Sequence, residues 1–292
     1  MHSVKGHEVA EDRARPLASP MSSPAFATPR QQLEEGIRAR LPTAPELVLV
    51  TDLDGTLLEG TPRWRRRFYR WLDTRRDSVL LVFNTGRDLA SIARVLEQEA
   101  AMGLGAPHLV IGDVGCTVAC GVSLTPIPHV IEPIERRWHG QAERVLPLLR
   151  AIPGLSSQPV SAVRRLAYLI DPELLDTAHL QAVEALGVDC LVSGNKYLDV
   201  LPAGVNKGTT LTDLIACLEV PPERVVTAGD SLNDLAMFRT GFQGVMVGNA
   251  EPALVQAFPT LKRTYRARGH GCAGIVEGLR HFGFASVLAS HF

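Results

Sequence analysis

Two aspartates one residue apart, Asp52 and Asp54, close an apolar run and are followed by Gly55 and Thr56. At a strand end such a pair can share one small site. One carboxylate can attack phosphorus while the other handles a proton or lends its backbone oxygen to a metal. Gly55 lets the chain turn sharply, although an Asp-Gly turn that merely ends a strand has the same composition. A second cluster, Asn84-Thr85-Gly86-Arg87, offers a hydroxyl, a small residue and backbone N–H groups beside a helix start, where Thr85, Gly86 and Arg87 can hold a phosphate. Thr85 as a simple helix cap is the alternative. In Asn206-Lys207-Gly208 an ammonium at a helix start can neutralise a phosphate or a developing charge. The fourth cluster, Gly229-Asp230-Ser231-Leu232-Asn233-Asp234, supplies Asp230, Asn233 and Asp234, oxygen donors that suit Mg²⁺. Asp230 or Ser231 as a cap is the competing account, but two acids exceed what a cap needs.

All four clusters sit where a strand ends or a helix begins. Residues 47–53 read as a buried parallel strand, and 79–83 as the next. Between them, Trp64, Phe68, Trp71 and Leu72 recur at helical spacing over 61–75. Helices are expected after Arg87, at 207–218, at 233–238 and near 273–282, with strands at 108–111, 225–228 and 244–247. The stretch 117–200 breaks this alternation. It mixes strand candidates at 163–170, 189–191 and 197–200 with helical stretches at 135–150 and 173–186, a small α+β unit. The expected architecture is α/β: a Rossmann-like parallel-sheet core, residues 46–116 and 201–292, interrupted by an inserted α+β cap, residues 117–200. In such a sheet the strand ends face one crevice. Residues 1–45 form an N-terminal extension. Its first 30 residues have the composition of a disordered segment, and a short helix is expected over 31–41.

The set DLDGT, NTGR, NKG and GDSLND, in this order, resembles the four motifs of the haloacid dehalogenase-like phosphatases over residues 46–283. The resemblance implies Asp52 as nucleophile, Asp54 as general acid then base, and Thr85 and Lys207 as catalytic phosphate-binding groups. It also implies Mg²⁺ held by Asp52, Asp54 and Asp230, with Asn233 and Asp234 in the same motif. The long gap between Thr85 and Lys207 places the cap where the sugar-phosphatase branch carries it. Leu198-Asp199-Val200-Leu201-Pro202, Gly248-Asn249-Ala250 and 274–282 (GIVEGLRHF) look like sucrose-phosphate phosphatases and mannosylfructose-phosphate phosphatases. This implies hydrolysis of sucrose 6-phosphate to sucrose and phosphate, through an aspartyl-phosphate. Mannosylfructose phosphate or another glycosyl phosphate is the alternative, supplied in either case by an upstream sugar-phosphate synthase. The chain departs from the branch at Cys116 and at Arg164-Arg165-Leu166-Ala167-Tyr168. Alternation along that cap strand turns one of Arg164 and Arg165 toward the crevice and leaves the other solvated. Arg165, Asn206 and Asn195 are the further candidates for substrate contact, Asn195 also being read as part of a Gly-Asn-Lys turn. A non-catalytic sugar-phosphate sensor would lack a nucleophile or a metal acid, and Asp52, Asp54, Lys207 and Asp230 are all present.

Composition narrows the classes further. Among 292 residues, 30 basic and 31 acidic side chains give a formal net charge of −1, which offers no footprint for nucleic acid or an anionic membrane. Arg63, Arg65, Arg66 and Arg67 read as the solvated face of an amphipathic helix. Five scattered cysteines without a CxxC pair favour a reducing cytoplasm over a disulfide framework or zinc site. No apolar run reaches the roughly 18 residues of a membrane span, and the first 45 contain no secretory h-region.

Overall fold

In a computed structural model, which describes residues 27–37, 40–161, 163–289 and 291–292, every side chain of β1 (Leu47–Thr51) is buried. Its residues alternate between two cores. Leu47 and Leu49 pack with Phe68, Trp71 and Leu279, while Val48 and Val50 pack with Leu33, Leu211 and Leu214. A strand buried on both faces has no polar side, so it reads as a continuous apolar run. The same holds for β2 (Val79–Asn84), β3 (Leu109–Gly112) and, on the other flank, β9 (Val225–Gly229).

The large sheet has seven strands in the order β11 (Thr264–Arg266), β10 (Gln243–Met246), β9, β1, β2, β3 and β4 (Thr117–Cys120). All neighbours are parallel except β3 and β4. Helices α2 (Pro62–Thr74), α3 (Leu89–Glu99) and α10 (Gly271–His281) cover one face. Helices α1 (Pro29–Ile37), α4 (Pro128–Trp138) and α7 (Lys207–Leu218) cover the other. The chain runs from β1 outward to β2 on one side, and β9 pairs on the other. The crevice between the ends of β1 and β9 is therefore the switch point at which such sheets bind ligands.

A second, antiparallel sheet is ordered β5 (Leu155–Ser157), β6 (Leu166–Ile170), β8 (Tyr197–Pro202) and β7 (Val188–Ser193). It packs with α4, α5 (Gln141–Ala151) and α6 (Thr177–Glu184) around Val145, Leu149, Val183 and Leu198. The single helical stretch expected at 135–150 is two helices, because Gly140 takes a left-handed φ of 72° between them. The expected division at 117 and 200 also differs from the sheets. β4 is hydrogen-bonded to β3 in the large sheet, and β8 runs on to Pro202.

The short helices α8 (Leu235–Phe238), α9 (Pro252–Ala257) and α11 (Ala285–Leu288) complete the core. α1 buries Leu33 and Ile37, and the Arg30 guanidinium donates to the carbonyls of Leu218 and Pro42, so this part of the extension belongs to the core. The disorder expected for residues 1–30 lies, up to residue 26, outside the described residues. Among the described residues, no helix is long and apolar enough to cross a membrane. On α2, Arg63, Arg66 and Arg67 are exposed, while Arg65 turns back to Glu99 and Tyr69.

Candidate active site

Asp52 follows the last residue of β1, and its N–H donates to the Ala228 carbonyl of β9 at 2.9 Å. Only 4% of it is exposed. Its carboxylate accepts a bond from the Lys207 ammonium at 2.7 Å. Lys207 is fully buried at the first position of α7, and its other two bonds reach Asn233 Oδ1 at 2.6 Å and Asp234 Oδ1 at 2.7 Å. Burial works against this ammonium, but Asp234 and Asp52 outweigh it and hold its pKa above that of an ordinary lysine.

Asn206 is the cap of α7. Its Oδ1 accepts from the N–H groups of Gly208 and Thr209 at 2.9 and 3.0 Å. That amide therefore fixes the lysine's helix, and Asn206 lines a separate hollow with Leu191 and Thr209. Thr85, in contrast, is no cap. Asp88 caps α3, accepting from Ser91 N–H at 2.6 Å. The Thr85 hydroxyl oxygen accepts from Arg87 N–H at 3.2 Å, and the group lies in the cavity wall. Neighbouring Asn84 ties β2 to α7 by donating to the Lys207 carbonyl at 3.0 Å.

Asp54 is more open than Asp52. Both its oxygens are taken by Arg87, Nε to Oδ2 and Nη2 to Oδ1, each at 2.6 Å. Arg87 also donates to Ser91 Oγ at 2.7 Å. The guanidinium expected to hold phosphate thus holds the second aspartate in a bidentate fork.

In the last motif the acids divide their work. Asp230 lines the cavity, and its Oδ1 accepts from the Thr56 hydroxyl at 2.6 Å. Asp234 is fully buried. Its Oδ2 accepts from the N–H groups of Asp230 and Ser231 at 3.0 Å each, and its Oδ1 from Lys207. Asn233 and Asp234 therefore both fix the lysine, although ligand atoms of Asp52, Asp230 and Asp234 lie within 4.8 Å of one another.

Three carboxylates face one ammonium here. Burial pushes the Asp52 carboxyl up to about 8, the Lys207 charge pulling the other way and Asp234 and Asp230 adding to the rise. Burial, with Asp234 adding, likewise pushes Asp230 up to about 7. The excess negative charge and all-oxygen donor set fit a divalent cation of the Mg²⁺ kind. Gly55 leaves room for it to form, since a Cβ there would lie 2.2 Å from Asp230 Oδ2.

Asp52, Asp54, Gly55, Thr85 and Asp230 form the floor of a cavity of about 650 Å³ whose roof includes Gln158, Val160, Arg165, Tyr197 and Asp199 of the inserted unit, while Lys207 and Asp234 are fully buried outside its lining. Arg165 is 6% exposed and pairs with Asp199 at 3.0 Å and with Asp113 at 3.5 Å. Among the described residues, its Nε and the Asp113 Oδ1 have no hydrogen-bond partner. The strand expected from 163 begins only at Leu166, so both arginines precede it and strand alternation does not govern them; Arg164 stands outside the cavity lining and is buried rather than solvated. It donates to the Cys116 carbonyl at 2.8 Å, Thr117 Oγ1 at 3.0 Å and Glu135 at 2.9 Å. Asn195 is exposed in a turn with φ 49° and stands outside the cavity lining, which the neighbouring Ser193 and Gly194 do reach.

Thr56, Asp88, Asp113 and Asp199 were not singled out by their own sequence signal. Asp88 also joins the two units, its Oδ2 accepting from Ser161 N–H at 2.9 Å. The turn from β3 to β4, against which Arg165 rests, is tight. Asp113, Val114 and Gly115 have φ of 53°, 58° and 105°, and a Cβ on Gly115 would lie 2.5 Å from the Asn206 backbone.

A family model for sucrose-6F-phosphate phosphohydrolase matches residues 45–283. The chain is 39% identical over 239 residues to the glucosylglycerol-phosphate synthase of Pseudomonas anguilliseptica, a match covering 82% of this chain and 31% of that protein. It is 28% identical over 249 residues to the mannosylfructose-phosphate phosphatase of Agrobacterium fabrum, covering 82% of this chain and 98% of that protein. Among solved structures, the sucrose-phosphatase of Synechocystis sp. PCC6803, in complex with sucrose and phosphate, superposes with a TM-score of 0.73 at 26% identity, over 82% of this chain and 98% of that one. The chain thus spans under a third of the synthase and nearly all of the other two.

Proposed function

Since the chain belongs to the sucrose-6F-phosphate phosphohydrolase family, we propose that it hydrolyses the phosphate monoester of a glycoside, with sucrose 6-phosphate the first candidate and sucrose and phosphate the products. The observation that carries this reading is the Asp52 carboxylate, 2.7 Å from Lys207, on the floor of a cavity of about 650 Å³ that the inserted sheet roofs. That volume exceeds what a phosphate alone fills and suits a glycoside beside it. Asp52, the Asp54 backbone and Asp230 would hold a Mg²⁺ ion, which when bound supplies counter-charge to the carboxylates and the phosphate.

The remaining steps belong to the chain's own groups. Lys207 and the Thr85 hydroxyl bind phosphate oxygens and offset charge as it develops. An Asp52 oxygen attacks phosphorus in line, forming the aspartyl-phosphate as the bond to the sugar oxygen breaks. Asp54, protonated on one oxygen while Arg87 still orients the other, gives that sugar oxygen its proton. The resulting carboxylate then takes a proton from water, whose oxygen attacks phosphorus and frees phosphate and Asp52. The inserted unit excludes bulk water and reads the sugar, with Arg165 and Asp199 as its charged wall. All five cysteines are free thiols, which fits work in a reducing cytoplasm.

A second substrate has its own support. The 39% identity to part of a glucosylglycerol-phosphate synthase favours glucosylglycerol phosphate, and a synthase that contains such a segment would supply the phosphomonoester it removes. Phosphate release from sucrose 6-phosphate, mannosylfructose phosphate, glucosylglycerol phosphate, glucose 6-phosphate and fructose 6-phosphate separates the readings. A glycoside phosphate should exceed the two hexose phosphates in kcat/KM by at least ~10²-fold, the scale of a lost set of hydrogen bonds. Equal efficiency across the panel would leave only a general sugar phosphatase.

A further inference from the structure

The catalytic motifs give Asn249 no part, yet its side chain is used twice. Its Nδ2 donates to the Gly55 carbonyl at 2.6 Å, and its Oδ1 accepts from Gly271 N–H at 2.9 Å. The backbone that carries it has little freedom. Gly248 N–H donates to the Gly269 carbonyl at 2.8 Å and Ala250 N–H to the Val247 carbonyl at 3.0 Å. A Cβ on Gly248 would lie 2.3 Å from the Arg268 carbonyl oxygen, and one on Gly271 2.1 Å from that of Glu59. This turn is a fixed post standing against the loop of the first motif.

What the post touches explains its use. Asp54 (φ −70°, ψ 129°) and Gly55 (φ 73°, ψ −10°) have the dihedral angles of a type II turn. The peptide between them carries the Asp54 carbonyl, and a flip of that peptide would redirect this oxygen while leaving the chain path nearly unchanged. Gripping the next carbonyl, that of Gly55, resists the flip. The far side of the same turn is registered against Asp230. The Thr56 hydroxyl donates to Asp230 Oδ1 at 2.6 Å, and Glu251 N–H, two residues beyond Asn249, donates to the Asp230 carbonyl at 2.8 Å.

We infer that Asn249 is a positioning residue for the divalent cation: through the Gly55 carbonyl it holds the Asp54 backbone and Asp230 in the mutual placement that cation binding requires. The inference rests on the reading of Asp52, Asp54 and Asp230 as the groups that hold Mg²⁺. Partners behind a metal ligand commonly change affinity by about 10- to 100-fold when removed.

The test is isothermal calorimetric titration of the whole chain with Mg²⁺, without substrate, which gives the half-saturating concentration directly, with Tm in EDTA and kcat at saturating Mg²⁺ measured alongside. Two variants are compared with the parent. Asn249→Ala loses both bonds. Asn249→Asp keeps the acceptor for Gly271 N–H but sets an oxygen against the Gly55 carbonyl. Asn249→Asp also adds negative charge near the cation, so electrostatics alone would tighten Mg²⁺ binding. The inference expects the half-saturating Mg²⁺ concentration to rise at least ~10-fold in both variants, with kcat recovering in part at high Mg²⁺. An unchanged or lower half-saturation in Asn249→Asp overturns it. So does an Asn249→Ala protein whose Tm in EDTA falls while its half-saturation stays put, since that is a structural role only. If the parent itself gives no Mg²⁺ binding heat, the metal reading fails first, and that outcome is distinct from either variant result.

Discussion

Asp52 and Lys207 bring opposite charges into a space that water barely enters, and neither could stay there alone. That pairing makes the attacking carboxylate testable apart from the fold. Asp52→Asn keeps the shape and a hydrogen-bond acceptor for Lys207, so Tm should hold while kcat falls by at least ~10⁴-fold, the scale seen when a nucleophile is removed. Arg87 belongs to the same scale. Its two 2.6 Å bonds to Asp54 use a geometry that only a guanidinium offers. Arg87→Lys should lower kcat on the order of 10²-fold, as loss of a positioned acid does, with a smaller change in KM. A rise in KM alone would put Arg87 on the substrate phosphate. Sequence marked Asp52, Asp54, Thr85, Lys207 and Asp230 because their four clusters all fall at strand ends or helix starts, in the order of one family's motifs, although only the last cluster holds more acids than a cap requires. It did not mark the Arg87–Asp54 fork, since the two residues lie in different motifs and only the turn at Gly55 brings them together.

At the scale of elements, the strands buried on both faces were legible because each fills four to six consecutive positions almost wholly with apolar or small side chains. β4 was not. Thr117–Cys120 is buried through its antiparallel pairing with β3, and the chain reaches that pairing through three left-handed residues, two of which are not glycine. Arg164 was read as solvated for a similar reason, because its partners are a carbonyl and a hydroxyl 48 and 47 residues away in sequence. The joint between β2 and β3 carries a pH dependence. His108 Nδ1 accepts from Leu81 N–H at 3.0 Å, so the ring must be neutral there. Burial, with the Arg76 charge adding, lowers its pKa from 6.5 to about 4. Between those values the unfolded chain binds more protons than the folded one, so this residue's contribution to stability grows as pH rises through the window and is complete above it. His108→Leu should therefore flatten the rise of Tm between about pH 4 and pH 6.5, measured as the difference from the parent at saturating Mg²⁺. An unaltered slope would mean that His108 does not titrate against the fold.

For the molecule as a whole, the two-sheet architecture follows from strand–helix alternation that stops near residue 117 and resumes after the second sheet ends at Pro202. Which face of the inserted unit closes the crevice was only half visible. Alternation was expected to separate Arg164 from Arg165, but both precede β6, and the partners of Arg165, namely Asp113 and Asp199, come from the turn between β3 and β4 and from β8. Arg165→Ala should reduce kcat/KM for a glycoside phosphate by about 10-fold or more while leaving the hexose phosphates nearly unchanged, because it removes one charged group from the roof rather than from the floor. A uniform loss on all substrates would make Arg165 a structural tie between the two units instead. The account stands on Asp52 taking the phosphoryl group. The most direct measurement is acid quenching during turnover of the best glycoside phosphate, followed by peptide mass spectrometry. A peptide carrying one phosphoryl group on Asp52, absent in Asp52→Asn and in EDTA, is the result this structure predicts. Steady phosphate release with no phosphoryl on Asp52, and equal release by Asp52→Asn, would contradict it.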